Sequence, residues 1–110
     1  MGVSGDPVAA TGLNAGCQVW YSVIAGTLPG PALHIARSAQ AGASHASSAA
    51  SQRLQPLWDL FAQHGSLRAV STVAELIGLV ARPSLPLPIR GLVDDDRARV
   101  APIIDHLDLR

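Results

Sequence analysis

Cys17–Pro29 reads CQVWYSVIAGTLP, and its apolar, β-branched run from Val19 to Ala25 is closed off by Gly26 and Pro29. Val, Ile, Trp and Tyr without strict polar alternation after Gln18 predict one strand buried on both faces, as in a parallel sheet. Parallel strands need neighbours joined through crossover connections. The only other candidate strand is a short stub at Gly2–Ser4, so the chain reads as a piece of something larger.

Length suits one domain, since 110 residues are enough to bury a core if the elements are self-sufficient. Eight arginines balance eight acidic residues, which leaves neither a basic nucleic-acid footprint nor an acidic tail. Lysine is absent altogether, and with it the usual side-chain amine for imine chemistry on a carbonyl substrate. Cys17 stands alone, so no intrachain disulfide forms, and a reducing, cytoplasmic location is the default expectation. Residues 7–36 carry no charge, yet Pro7, Asn14, Gln18, Pro29 and Pro31 interrupt them too often for a membrane span. The start, MGVSGDP, has no basic region or apolar core of signal-peptide length, and Asp6 stands where a lipid-attachment context has Ser or Thr.

Outward from the central stretch, Gly2–Gly5 reads as the tail of a strand. Asp6 is placed to cap a short helix over Pro7–Leu13 with proline at its first position, and Asn14 and Gly16 end it. The order strand end, helix, strand is the second half of a βαβ unit. Pro31–Gln40 is predicted helical, with Gly42 at the C-cap.

From Ala43 onward, Ala43, Ala46, Ala50, Leu54, Leu57, Trp58 and Phe61 form one stripe at three-and-four spacing. They predict a long helix to His64 that kinks or breaks at Pro56, which cannot donate to the Gln52 carbonyl. Ser66 is the expected N-cap of the next helix. Its polar face is Arg68, Ser71, Thr72 and Glu75, and its buried face Leu67, Val70, Val73, Ala74, Leu76 and Ile77. Three prolines between Arg82 and Pro88 predict an extended segment pinned by Leu85, Leu87 and Ile89. Asp94 then caps a last helix, with Asp95 and Asp96 in its first turn and Val100, Ile103, Ile104 and Leu107 on its apolar side.

His34, His45, His64 and His106 show no paired ligand spacing, so no metal site is expected. Asp94–Asp96 lacks the alternating oxygen ligands of a calcium loop and reads as helix capping. No G-x-S-x-G elbow occurs. Trp20, Tyr21, Trp58 and Phe61 lie on apolar stripes where core packing is the ordinary role, and Cys17 reads as an inert buried thiol.

Taken in order, Ser4-Gly5-Asp6, Gly16, the W-Y-S-V strand, Pro29 and L-x-P-L-W at Leu54–Trp58 resemble the dihydrodipicolinate synthase and N-acetylneuraminate lyase family. The run Arg68–Leu79 with A-E-L-I-G-L, the P-S-L-P-L-P-I-R segment and the acid-capped last helix are similar to that family's C-terminal extension. The resemblance covers about Gly2 to Leu109.

It implies an α/β fold: the C-terminal part of a (β/α)8 TIM barrel, from the end of strand 7 to helix 8, plus a three-helix C-terminal extension, mostly helical as an isolated chain. Residues 1–41 would be the barrel end and 43–110 the helical extension. The implied activity is that of a class I aldolase or lyase acting on pyruvate or another 2-oxo acid through a lysine Schiff base, with no cofactor. The Schiff-base lysine and a proton-shuttling tyrosine lie on strands this chain does not contain, so it holds no catalytic residue. The resemblance places Ser4, Gly5 and Asp6 in the loop lining the site and the Tyr21 backbone carbonyl opposite the lysine. Ala25 and Gly26 depart from the family's usual small residue and asparagine after this strand. Expected partners are the 2-oxo acid and, when complete, further copies in a homo-oligomer, with neither nucleic acid nor membrane. The alternative is a non-catalytic helical interaction or oligomerisation module.

Overall fold

The computed structural model describes residues 1–82, 84–85 and 89–109. Its elements are β1 (Gly2–Ser4), α1 (Ala9–Asn14), β2 (Val19–Tyr21), α2 (Pro29–Gln40), α3 (Ser44–Arg53), α4 (Gln55–His64), α5 (Ser66–Leu76) and α6 (Asp94–Leu107), with 3-10 turns at Asp6–Val8 and Ile24–Gly26. They form two compact units, Met1–Trp58 and Asp59–Arg110, and the division falls within α4. The helix α3, assigned from sequence to the extension, belongs to the first unit.

In the first unit β1 and β2 pair in parallel, with Gly2 opposite Val19, Val3 opposite Trp20 and Ser4 opposite Tyr21. The connection between them is α1. One face of the pair is covered, because Val3 packs so closely on α1 that a Cβ added at Gly12 would lie 2.6 Å from Val3 Cγ2. The opposite face, carrying Ser4, Val19 and Tyr21, is open: Val19 is 46% and Tyr21 68% exposed. The strand predicted from Val19 to Ala25 as buried on both faces is therefore shorter and wet on one side. Its physical limit is the fate of its backbone donors. Val23 and Ile24 donate to the Asp6 carboxylate and Ala25 donates to Ser22 Oγ, so the chain leaves the sheet after Tyr21.

Two prolines in its first turn start α2. It ends where Gly42, at φ 75°, lets its own N–H reach the Ala39 carbonyl and that of Ala43 reach Ser38. Against α2 packs α3, and the buried positions of α3 are Ser47 and Ser51. The alanines expected there are not: Ala43 and Ala46 are exposed. Serine serves because its hydroxyl is used: Ser47 Oγ donates to the Ile35 carbonyl at 3.1 Å.

The break anticipated at Pro56 falls at Leu54, between α3 and α4. Proline cannot donate into the ladder, and the Trp58 indole N–H donates to the Ser51 carbonyl at 2.8 Å, beside the break. Ile24, Ile35, Leu54, Leu57 and Trp58 are buried in this unit.

In the second unit Phe61, Val73, Leu92, Val100, Ile104 and Leu107 are among the buried residues. Gly65, not Ser66, is the N-cap of α5. α5 is covered on both its apolar and its polar sides: Ala69, Val70, Val73 and Ala74 are buried, and so are Ser71 and Thr72. The Thr72 hydroxyl donates to the Arg68 carbonyl and accepts the Leu92 N–H at 2.8 Å, while Arg68 Nε donates to the Arg90 carbonyl.

Glu75, with its side chain 3% exposed, pairs with Arg97 of α6 at 2.6 Å. It also accepts from the Ser84 hydroxyl and backbone N–H. Burial alone pushes the Glu75 carboxyl up. The Ser84 hydroxyl, the Arg97 hydrogen bond, the Ser84 N–H and the Arg97 charge together outweigh it and hold the group below its ordinary value of 4.5. Leu67, expected in the core, is half exposed. The extended proline segment lies mostly outside the described residues, and Ile89, expected to pin it, is 42% exposed. The N-cap of α6 is Val93, one residue before the predicted Asp94. Asp94, Asp95 and Asp96 occupy the first turn, where they suit the helix dipole.

Candidate functional site

The residues singled out from sequence meet at the C-terminal end of β1 and β2. Ser4 and Tyr21 are register partners and share the open face. Gly5 follows at φ 99°, a left-handed conformation that favours glycine, and its carbonyl accepts the Val8 N–H to close the turn. Gly2 lies beneath the Tyr21 ring, where an added Cβ would stand 2.7 Å from Tyr21 Cε2. Tyr21 is thus a surface aromatic over a neighbouring strand, not the core residue that its apolar run suggested.

Asp6 departs from the expected capping role. It is not the N-cap of α1, whose N-cap is Val8. At 2% exposure, its side chain is also turned away from solvent. Oδ1 accepts the Trp20 indole N–H at 3.0 Å, and Oδ2 accepts the backbone N–H groups of Val23 at 3.0 Å and Ile24 at 2.8 Å. The carboxylate thereby caps the 3-10 turn Ile24–Gly26 from a distant loop. Ser22 caps the same turn locally through Ala25. Ser4, Gly5 and Tyr21 line an open face, and Asp6 fixes the backbone behind it.

Trp20, Ser22 and the amides of Val23 and Ile24 are the partners that sequence reading did not supply. A carboxylate that satisfies amides seventeen and eighteen residues away leaves no local pattern. The face holds polar groups able to contact a small ligand, but no lysine. Among the described residues no group of three His, Cys, Asp or Glu could hold a metal ion, and no helix is long and apolar enough to cross a membrane. Cys17, expected buried, is a partly exposed free thiol.

A parallel strand pair joined by α1, with one face open, followed by α2 and further helices, is the closing part of a (β/α)8 barrel with an appended helical region. β1 and β2 are the ends of its seventh and eighth strands. The chain belongs to the dihydrodipicolinate synthetase family, whose profile matches residues 2–107.

A dihydrodipicolinate synthase structure from Agrobacterium tumefaciens is 39% identical with a TM-score of 0.89, covering 96% of this chain and 35% of that one. Two more distant structures share the fold. One, a dihydrodipicolinate synthase, is 19% identical with a TM-score of 0.84, covering 97% of this chain and 37% of that one. The other, described as a dihydrodipicolinate synthetase from Pseudomonas aeruginosa, is 20% identical with a TM-score of 0.84, covering 96% and 36%. The chain thus spans about a third of the length of these structures. No curated protein matches it.

Proposed function

We propose that this chain is the closing segment of a dihydrodipicolinate synthase-like class I lyase that acts on pyruvate or another 2-oxo acid. The imine-forming lysine belongs to a strand outside this sequence, which contains no lysine. In this reading Ser4, Gly5 and the Tyr21 carbonyl line the substrate site, and Asp6 is a positioning residue that holds the loop after β2. The complete enzyme needs no cofactor, works in the cytoplasm and assembles as a homo-oligomer.

The observation that carries the reading is the open face of the strand pair. Ser4 and Tyr21 stand side by side and exposed on it, although the opposite face is packed on α1. A barrel interior has this character until the remaining strands close over it.

The test is borohydride trapping with pyruvate. This chain is mixed with a separately expressed polypeptide comprising the part of the Agrobacterium relative that it does not cover. The expected result is an adduct on a lysine of the added polypeptide, formed only in the mixture, and none from this chain alone once its N-terminal amine is excluded. A stable, folded homo-oligomer of the pure chain that never supports trapping would assign it instead to the helical interaction modules.

A further inference from the structure

Within the second unit a cavity of about 260 Å³ lies between α5 and the segment that leads into α6. Drug-sized ligands fill pockets of about 300–1,000 Å³, so this one suits a smaller molecule. Its wall divides by chemistry. Leu85, Ile89, Leu92 and Val93 form an apolar part, in which Ile89 and Val93 are 42% and 40% exposed. Arg82 and Arg90 bring positive charge, and Glu75 is the one carboxylate among the described lining residues.

Glu75 does not neutralise these arginines, because both of its oxygens are committed. Oε1 accepts from Arg97, and Oε2 accepts from the Ser84 hydroxyl and backbone N–H. Among the described residues neither the Arg82 nor the Arg90 guanidinium has a hydrogen-bond or ion-pair partner. A third arginine stands close by, since Arg68 Nε donates to the Arg90 carbonyl at 2.9 Å. Asp94, Asp95 and Asp96 follow Val93 in the chain, but none of them lines the cavity, and Asp96 faces His64 and Arg99. Uncommitted guanidinium groups beside an exposed apolar wall complement a molecule with a carboxylate at one end and a short hydrocarbon at the other.

We propose that this cavity binds a small monocarboxylate with a short apolar chain, its carboxylate on Arg82 and Arg90 and its chain against Leu85, Ile89 and Val93. Inorganic phosphate matches the arginines but leaves the apolar wall in water. A neutral molecule of the same shape covers that wall but gives the guanidinium groups no counter-charge. No residue of the strand pair takes part, so the assignment stands or falls separately from the barrel reading.

The probe is 4-methylpentanoate, titrated into the full, isotopically labelled chain and followed through the backbone amide resonances, with 4-methylpentanamide and inorganic phosphate as comparisons. Saturable shifts are expected at Arg90, Gly91 and Val93, with a Kd of about 1 mM for so small a ligand. Arg82→Gln and Arg90→Gln should each weaken binding about tenfold through the lost charge-assisted bonds. Arg99→Gln, on an exposed side chain outside the cavity, should leave it unchanged. The amide and phosphate should bind at least about tenfold more weakly than the carboxylate.

Amide binding as tight as that of the carboxylate would make the cavity a plain apolar cleft and overturn the proposal. Phosphate binding as tight would reduce it to a non-selective anion contact and overturn it too. Affinity retained in both glutamine variants, or no saturable shift up to about 20 mM carboxylate, well above the expected Kd, would equally overturn it.

Discussion

Replacing Asp6 with asparagine removes one acceptor oxygen from a side chain that is 2% exposed and serves the Trp20 indole and the Val23 and Ile24 amides. However the amide turns, its single oxygen cannot serve all three donors, and the charge that strengthened each bond is gone. A hydrogen bond to a charged group contributes about 1.5–3 kcal/mol and a stranded buried donor costs about 1–3 kcal/mol, so Asp6→Asn is expected to destabilise by about 3 kcal/mol. Asp6→Ala strands all three donors and is expected to cost about 5 kcal/mol.

Urea unfolding followed by circular dichroism measures the first figure: with a slope of about 1.5 kcal/mol per molar, the midpoint falls by about 2 M. Hydrogen exchange localises it, since the Val23 and Ile24 amides should lose protection first. An Asp6→Asn protein within about 0.5 kcal/mol of the parent, with those two amides as protected as before, would refute the idea that this carboxylate draws the chain out of the sheet after Tyr21.

Gly12→Ala should cost about 2 kcal/mol by overpacking against Val3, and Val3→Ala in the same chain should recover at least half of it in a double-mutant cycle read by thermal melting. Glu75→Gln should cost about 3 kcal/mol at neutral pH because it leaves Arg97 without its partner charge. The Glu75 carboxyl titrates below its unfolded value near 4.5, so its contribution is fully present above that pH and is lost as pH falls through the folded value. Acid titrations should therefore fall off below about pH 4.5 in the parent and more gently in Glu75→Gln. Tyr21→Ser, on the open face, should change stability by no more than about 0.5 kcal/mol and reduce self-association in light scattering, because it removes exposed apolar surface beside an unpaired strand.

Much of this architecture is legible in the residues. Pro29 and Pro31 start α2, Gly42 ends it and Pro56 stands just after the α3–α4 break, because each acts through its own backbone within a few residues. What escapes sequence reading is set by contacts between distant residues. The run from Val19 to Ala25 has strand composition throughout, but Asp6 captures two of its amides and so shortens the strand. Ser71 and Thr72 are legible as polar positions of α5, but the use of the Thr72 hydroxyl by the Leu92 amide, twenty residues away, is encoded in neither segment alone. In the candidate site, the pairing of Ser4 with Tyr21 follows from a parallel register, which no spacing within either segment encodes.

The account rests on a strand pair whose open face and free edge await the rest of a barrel. Hydrogen exchange at the Val19–Tyr21 amides tests this most directly, with the chain measured alone and again with the complementary two thirds of the Agrobacterium relative. The account predicts that the amides not bonded to β1 exchange freely in the chain alone and become protected to the level of the buried helices on mixing. Full protection of those amides in the isolated, monomeric chain, unchanged by the complement, would contradict it.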